Sequence, residues 1–144
     1  MSAPDHSEPN ADSANDPAND PAAVPGLRLA VAAEGLFLAN LLVAPGLAFL
    51  ILAALWWRHR LSAPPLARQH LWQAVAVSFW GGALLATVST LFIVAGGLTW
   101  AWTWVAVILY FTCIHSTLVL FGMFGLSRAM AGQPYRYPLI GPSR

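Results

Sequence analysis

His115 stands well inside a long apolar run, beside Thr112, Cys113, Ser116 and Thr117. Ionisable side chains are costly in hydrocarbon, so an imidazole there is a candidate functional group, for a ligand or for a proton. The bland alternative is structural. A neutral ring needs one donor and one acceptor, and Asn40, Ser89 or Thr90 on neighbouring helices could supply them. Haem ligation by two histidines needs both rings at one depth. His70 lies at the entrance of one apolar segment and His115 lies about 16 Å inside the next, so that pairing fails within one chain and is left only across a dimer axis. Cys113 and His115, two residues apart, point to different helix faces and form no metal motif. Cys113 is the single cysteine, so no disulfide forms within the chain.

The acids exclude more than the histidines suggest. Asp5, Glu8, Asp12, Asp16, Asp20 and Glu34 are the whole set, and all lie in the first 34 of 144 residues. Beyond Glu34 the charged residues are Arg58, Arg60, Arg68, Arg128, Arg136 and Arg144. With Glu34 assigned to the region before the first span, the membrane region has no carboxylate acid/base pair, no hard-cation site and no acidic proton relay. The chain also lacks a phosphate-binding glycine loop, a serine elbow and a zinc helix motif. The expectation is a protein that is not an enzyme and carries no cofactor or metal. Arg58, Arg60, Arg68 and Arg128 read as lipid-headgroup contacts, and nucleic acid is not an expected partner.

These residues must be positioned by membrane helices. The chain is 58% hydrophobic and 9% charged, against about 25% charged in ordinary soluble domains. The fold class expected is all-α: an integral membrane bundle of three transmembrane helices behind a disordered acidic tail. Residues 1–26 form that tail, because five acids, repeated Asn-Asp-Pro-Ala units and few large apolar groups cannot offset the entropy of ordering. The membrane domain is 27–144, with residues 27–34 as an interfacial lead-in. Spans are expected over 35–57, 71–95 and 100–126, each long enough for a hydrocarbon layer of about 30 Å. Pro45-Gly46 should kink the first span, and Pro64-Pro65 should prevent its continuation into the second. Trp56 and Trp57 mark one interface and Trp100, Trp102 and Trp104 the other. Gly96-Gly97 leaves a short turn, so the last two spans should form an antiparallel hairpin.

Orientation follows from the arginines. Arg58, Arg60 and Arg68 crowd the first loop and Arg128, Arg136 and Arg144 the C-terminal tail, so both should face the cytoplasm of a bacterial inner membrane. Three crossings then put the N-terminus outside and the C-terminus inside. Ala74, Ser78, Gly82, Ala86 and Thr90 recur every fourth residue along one face of the second span. Such a face admits a close helix, within the bundle or in a homo-oligomer.

Two stretches carry a resemblance. One runs ALWWRHRLSAPPLARQHLWQAV, where a basic loop leads into His70, Gln73 and Ala74. The other is RAMAGQPYRYPLIG, with Tyr135, Arg136, Tyr137, Pro138 and Leu139. Together they resemble small bacterial membrane proteins similar to the chloroplast inner-envelope Tic import component, a likeness covering residues 35–140. The chain departs from that pattern at Val77, where an aromatic is expected. The resemblance implies a small helical bundle and a link to protein transport. Physically, the tail reads as an interfacial anchor or as a docking loop for a partner protein. The expected function is an accessory or interaction subunit of a larger membrane assembly, with membrane lipids and a membrane protein or a second copy as partners. The rival readings are a haem binder using His115 and a small-solute conduit lined by Ser78, Thr90, His115 and Ser116.

Overall fold

The structure, a computed structural model, describes residues 24–138. The expected acidic tail therefore lies almost wholly outside the described residues, as does Leu139 of the tail motif. Four α-helices and no strand are present among the described residues: α1 (Leu27–Leu42), α2 (Leu47–His59), α3 (Pro65–Gly96) and α4 (Ala101–Met130). At about 1.5 Å per residue they are roughly 24, 20, 48 and 45 Å long. Only α3 and α4 are long and apolar enough to cross a membrane, with mean hydropathies of 1.8 and 2.0 over their most apolar windows.

The 35–57 segment does not form one continuous helix. Pro45 supplies no N–H and Gly46 turns the chain at φ 84°, a left-handed conformation that favours glycine. The orphaned Gly46 N–H is taken up by Asn40 Oδ1 at 2.9 Å. The break is a reversal rather than a kink, and chain length requires it. Gly26, at the start of α1, lies so close to Pro64 and Ala67 at the start of α3 that a β-carbon on it would sit 2.9 Å from the Ala67 β-carbon. His59 at the end of α2 is joined to Pro65 by residues 60–64, whose reach is about 17 Å when fully extended. Were α2 to continue along α1, its end would be beyond 40 Å from that point. Hence α1 and α2 are antiparallel, and both open ends lie beside the start of α3.

The expected hairpin of the last two spans is present. Gly81 lies against Leu118, Leu84 O accepts a hydrogen bond from the Tyr110 hydroxyl at 3.0 Å, and Gly96 leaves no room for a β-carbon against Thr103. α3 begins at Pro65, where a missing N–H costs nothing, and ends at Gly97 with φ 77°. The end of α4 returns to the start of α1, where Val24 packs against the Gly132 turn. The two positions are in contact because the chain reverses at residues 43–46.

The core is confined to one half of the molecule. Phe37, Leu52, Leu71, Val77, Leu118 and Tyr137 form its centre, with Ala33 and Ala74 filling between them. Beyond Gly81 on α3, and before Leu118 on α4, Thr103 is the one buried residue. There α3 and α4 continue as a two-helix arm past the ends of the shorter α1 and α2.

Candidate functional site

Glu34 is fully buried in the third turn of α1, rather than lying before a first span. It is one member of a polar cluster that draws on three distant parts of the chain. His70, from the second turn of α3, places Nδ1 2.7 Å from Glu34 Oε1. Tyr137, beyond the end of α4, donates its hydroxyl to Glu34 Oε2. On the far side of the imidazole, His70 Nε2 lies 3.1 Å from the Gln133 carbonyl oxygen. Gln73, one turn after His70, accepts the Tyr137 backbone N–H on Oε1 at 3.1 Å.

Donor and acceptor identities fix the proton count. A carbonyl can only accept, so His70 Nε2 carries a proton and donates it to Gln133 O. One further proton then lies between His70 Nδ1 and Glu34 Oε1, whether written as imidazolium and carboxylate or as imidazole and carboxylic acid. Both descriptions sum to zero charge. That neutrality is what makes the cluster tolerable at full burial, where an unpaired ion would be far more costly. The sequence reading, which left the bundle without a carboxylate, is corrected here: Glu34 is an interior residue with a histidine and a phenol as partners.

Small residues make the room. Gly122 and Gly125 are buried three residues apart on α4, forming a shallow track for α1. Phe37 and Leu38 press against Gly122, where an added β-carbon would meet them at 2.8 and 2.7 Å. Glu34 and Tyr137 press against Gly125, where it would lie 2.6 Å from Glu34 Oε2 and 2.7 Å from the Tyr137 hydroxyl. The Phe37 and Tyr137 rings meet edge to face at 5.6 Å, closing the apolar side of the cluster.

Tyr137 is 2% exposed although it follows the last helix. Burial first, then the charge of Glu34 and the hydrogen bond to it, push its phenol well above the usual value of 10.0. The half-buried Tyr135 is also raised, by burial and then Glu34, with the Arg128 charge pulling the other way. The segment is held further by Gln69 Nε2, which donates to Tyr135 O at 3.3 Å, and by Arg128, which donates to Gln133 Oε1 at 2.6 Å. The two stretches that carried the family resemblance are thereby joined, His70 and Gln73 gripping Gln133 and Tyr137. Ala74 and Val77 are fully buried in the adjoining core, while Arg136 and Pro138 are at the surface.

Other expected residues fall elsewhere. His115 is half-buried on the arm and stacks on Phe111 at 5.4 Å. Its proposed bonding partners are otherwise disposed: Asn40 Oδ1 caps Gly46, and Ser89 Oγ is buried without a partner. Of the conduit residues, Ser78 is buried whereas Thr90 and Ser116 face outward, so they line no common path. In the fourfold ladder Ala74 and Ser78 are buried, while Gly82, Ala86 and Thr90 are exposed. Arg58, Arg60, Arg68 and Arg128 are exposed at the end of the bundle where α1 and α3 begin. No group of three or more histidines, cysteines or carboxylates among the described residues could hold a metal ion.

The sequence reading missed Glu34 and the Gly122/Gly125 track. The signals were there: Ala30, Ala33, Glu34 and Phe37 share one helix face, and GMFG sets two glycines three apart. No protein-family model, no curated protein and no solved structure matches the chain.

Proposed function

We propose that this chain is a non-enzymatic integral membrane protein acting as an accessory or interaction subunit of a larger membrane assembly. The observation that carries the reading is the two-helix arm. Its Leu84, Leu91, Ile108, Leu109 and Phe111 are exposed, and only 17% and 11% of the most apolar windows of α3 and α4 are covered by the protein itself. Water rejects so continuous an apolar surface, whereas lipid or a partner helix accepts it. The polar groups of the buried cluster meanwhile satisfy one another. Glu34, His70, Gln73 and Tyr137 act as a clasp that ties α1, α3 and the C-terminal segment together, with no reactive atom left toward a substrate.

The arginines suggest the orientation. Arg28, Arg58, Arg60, Arg68, Arg128 and Arg136 belong to the end of the bundle where α1 and α3 start and α4 finishes. Loops rich in arginine stay in the cytoplasm. On this reading α3 and α4 cross a bacterial inner membrane, α1 and α2 enter from the cytoplasmic side and return to it, and Trp100, Trp102 and Trp104 mark the opposite interface. The likeness to Tic-like proteins supports a link to protein transport.

Photocrosslinking in the native host tests the assignment. With benzoylphenylalanine in place of Leu91 or Ile108, the expected result is a discrete protein adduct that survives mild detergent. Adducts to lipid alone at both positions, with the purified protein a colourless monomer, would remove the accessory role. A Soret band in that preparation would replace it with cofactor binding.

A further inference from the structure

Between the end of α2, the 60–64 linker and the first turns of α3 lies an open groove of about 670 Å³. Trp56 and Trp72 form its apolar wall, their rings 5.5 Å apart, and Arg60 and Arg68 line it alongside Gln69 and Gln73. Arg60 is held over the Trp57 ring at 4.0 Å, a cation–π contact that fixes where its charge sits. No carboxylate follows Glu34 in the sequence, and Glu34 is spent on His70 and Tyr137. Among the described residues, no carboxylate is therefore left to balance Arg60 and Arg68.

We infer that this groove binds a lipid phosphodiester, its phosphate between Arg60 and Arg68 and its glycerol and upper acyl chain against Trp56 and Trp72. The two glutamines complete the match. Gln73 uses Oε1 on the Tyr137 N–H, so its amide N–H groups are what it can offer a phosphate oxygen. Gln69 uses Nε2 on Tyr135 O, so its Oε1 can accept from a headgroup hydroxyl. A free phosphate shares the arginine chemistry but leaves both indoles bare. This site goes beyond nonspecific attraction of a basic surface to anionic lipid, because it needs two arginines, two indoles and two amides in one depression. It also binds to the same two glutamines that hold the C-terminal clasp, so an occupied groove would rigidify that segment.

The inference rests on the chain lying in a bilayer, and the test separates the two. The full chain is reconstituted in nanodiscs of equal phosphatidylcholine and phosphatidylglycerol, then released and weighed by native mass spectrometry. Retained phosphatidylglycerol should exceed phosphatidylcholine. Arg60→Gln and Arg68→Gln should each cut the enrichment about fivefold, the worth of one surface arginine to an anionic lipid. Arg28→Gln, the same charge change on α1 outside the groove, should leave it intact. Equal losses in all three variants would reduce the effect to overall charge and overturn the site. Displacement of the lipid by inorganic phosphate would make the occupant a free anion and overturn it likewise. A chain that enters the discs without enrichment defeats the groove alone, and one that does not enter them defeats the bilayer reading as well.

Discussion

The phenolic oxygen of Tyr137 is a single atom on which a remote segment depends. In Tyr137→Phe the ring still meets Phe37 but Glu34 Oε2 loses its donor, at a cost of about 1–3 kcal/mol for a buried acceptor left unsatisfied. Thermal unfolding in detergent at neutral pH measures that loss. Its pH dependence carries a second signature. The folded phenol holds its proton more tightly than the unfolded one, whose value is the ordinary 10.0. Stability from this group is therefore complete below about pH 10 and falls as the pH rises above it, where only the unfolded chain releases the proton. Wild type should lose stability between pH 10 and 11 more steeply than Tyr137→Phe; parallel curves would mean that other groups govern the alkaline limb. At Glu34 the variants should separate by chemistry. Glu34→Leu leaves His70 Nδ1 and the Tyr137 hydroxyl buried and unpaired and should cost about 3–5 kcal/mol, whereas Glu34→Gln keeps hydrogen-bonding atoms in place and should cost less. The sequence could not announce this residue, since its partners are 36 and 103 positions away. Its own neighbours, Ala33 and Gly35, are compatible with either a helix interior or the close of a polar tail.

Helix faces explain which small residues matter. The regular fourfold ladder on α3 drew attention because its period is visible, yet Gly82, Ala86 and Thr90 face away from the bundle. The pair with contacts to lose is Gly122 and Gly125, less conspicuous because it spans a single turn. Gly125→Ala should destabilise by about 1–3 kcal/mol, as its methyl meets the Glu34 carboxylate and the Tyr137 hydroxyl. Gly82→Ala should be neutral or stabilise by up to about 1 kcal/mol, because the site is open and alanine is the better helix former. Opposite signs in paired melting curves would establish α4, and not the exposed part of the α3 ladder, as the contact face. The break between α1 and α2 was legible in part. Pro45-Gly46 forecasts an interruption from composition alone. Its angle depends on Asn40 reaching Gly46 and on the short tether from His59 to Pro65, and hydrophobic periodicity carries neither.

At the scale of the molecule, the pattern of charge and the path of the chain across a membrane are separate questions. The arginines on both sides of the 35–57 segment and after α4 do gather at one end of the bundle. Counting that segment as a full crossing sent the N-terminal side to the opposite face, because its apolar length of 23 residues (35 to 57) satisfies the length rule for a span. Length cannot distinguish one long helix from two short antiparallel ones. The described fold brings Val24 beside Gly132, so the two ends must share a compartment if α3 and α4 cross the membrane. Single cysteines decide between the arrangements. In a Cys113→Ala background, Pro25→Cys, Leu98→Cys and Gln133→Cys are challenged in sealed, right-side-out vesicles with a membrane-impermeant maleimide. All three positions are exposed in the structure. Leu98→Cys should react at once, whereas Pro25→Cys and Gln133→Cys should stay unlabelled until the membrane is opened. Immediate labelling of Pro25→Cys with Gln133→Cys still protected would restore three crossings, and the helical reversal at Pro45-Gly46 would then have to open into a single span within the bilayer.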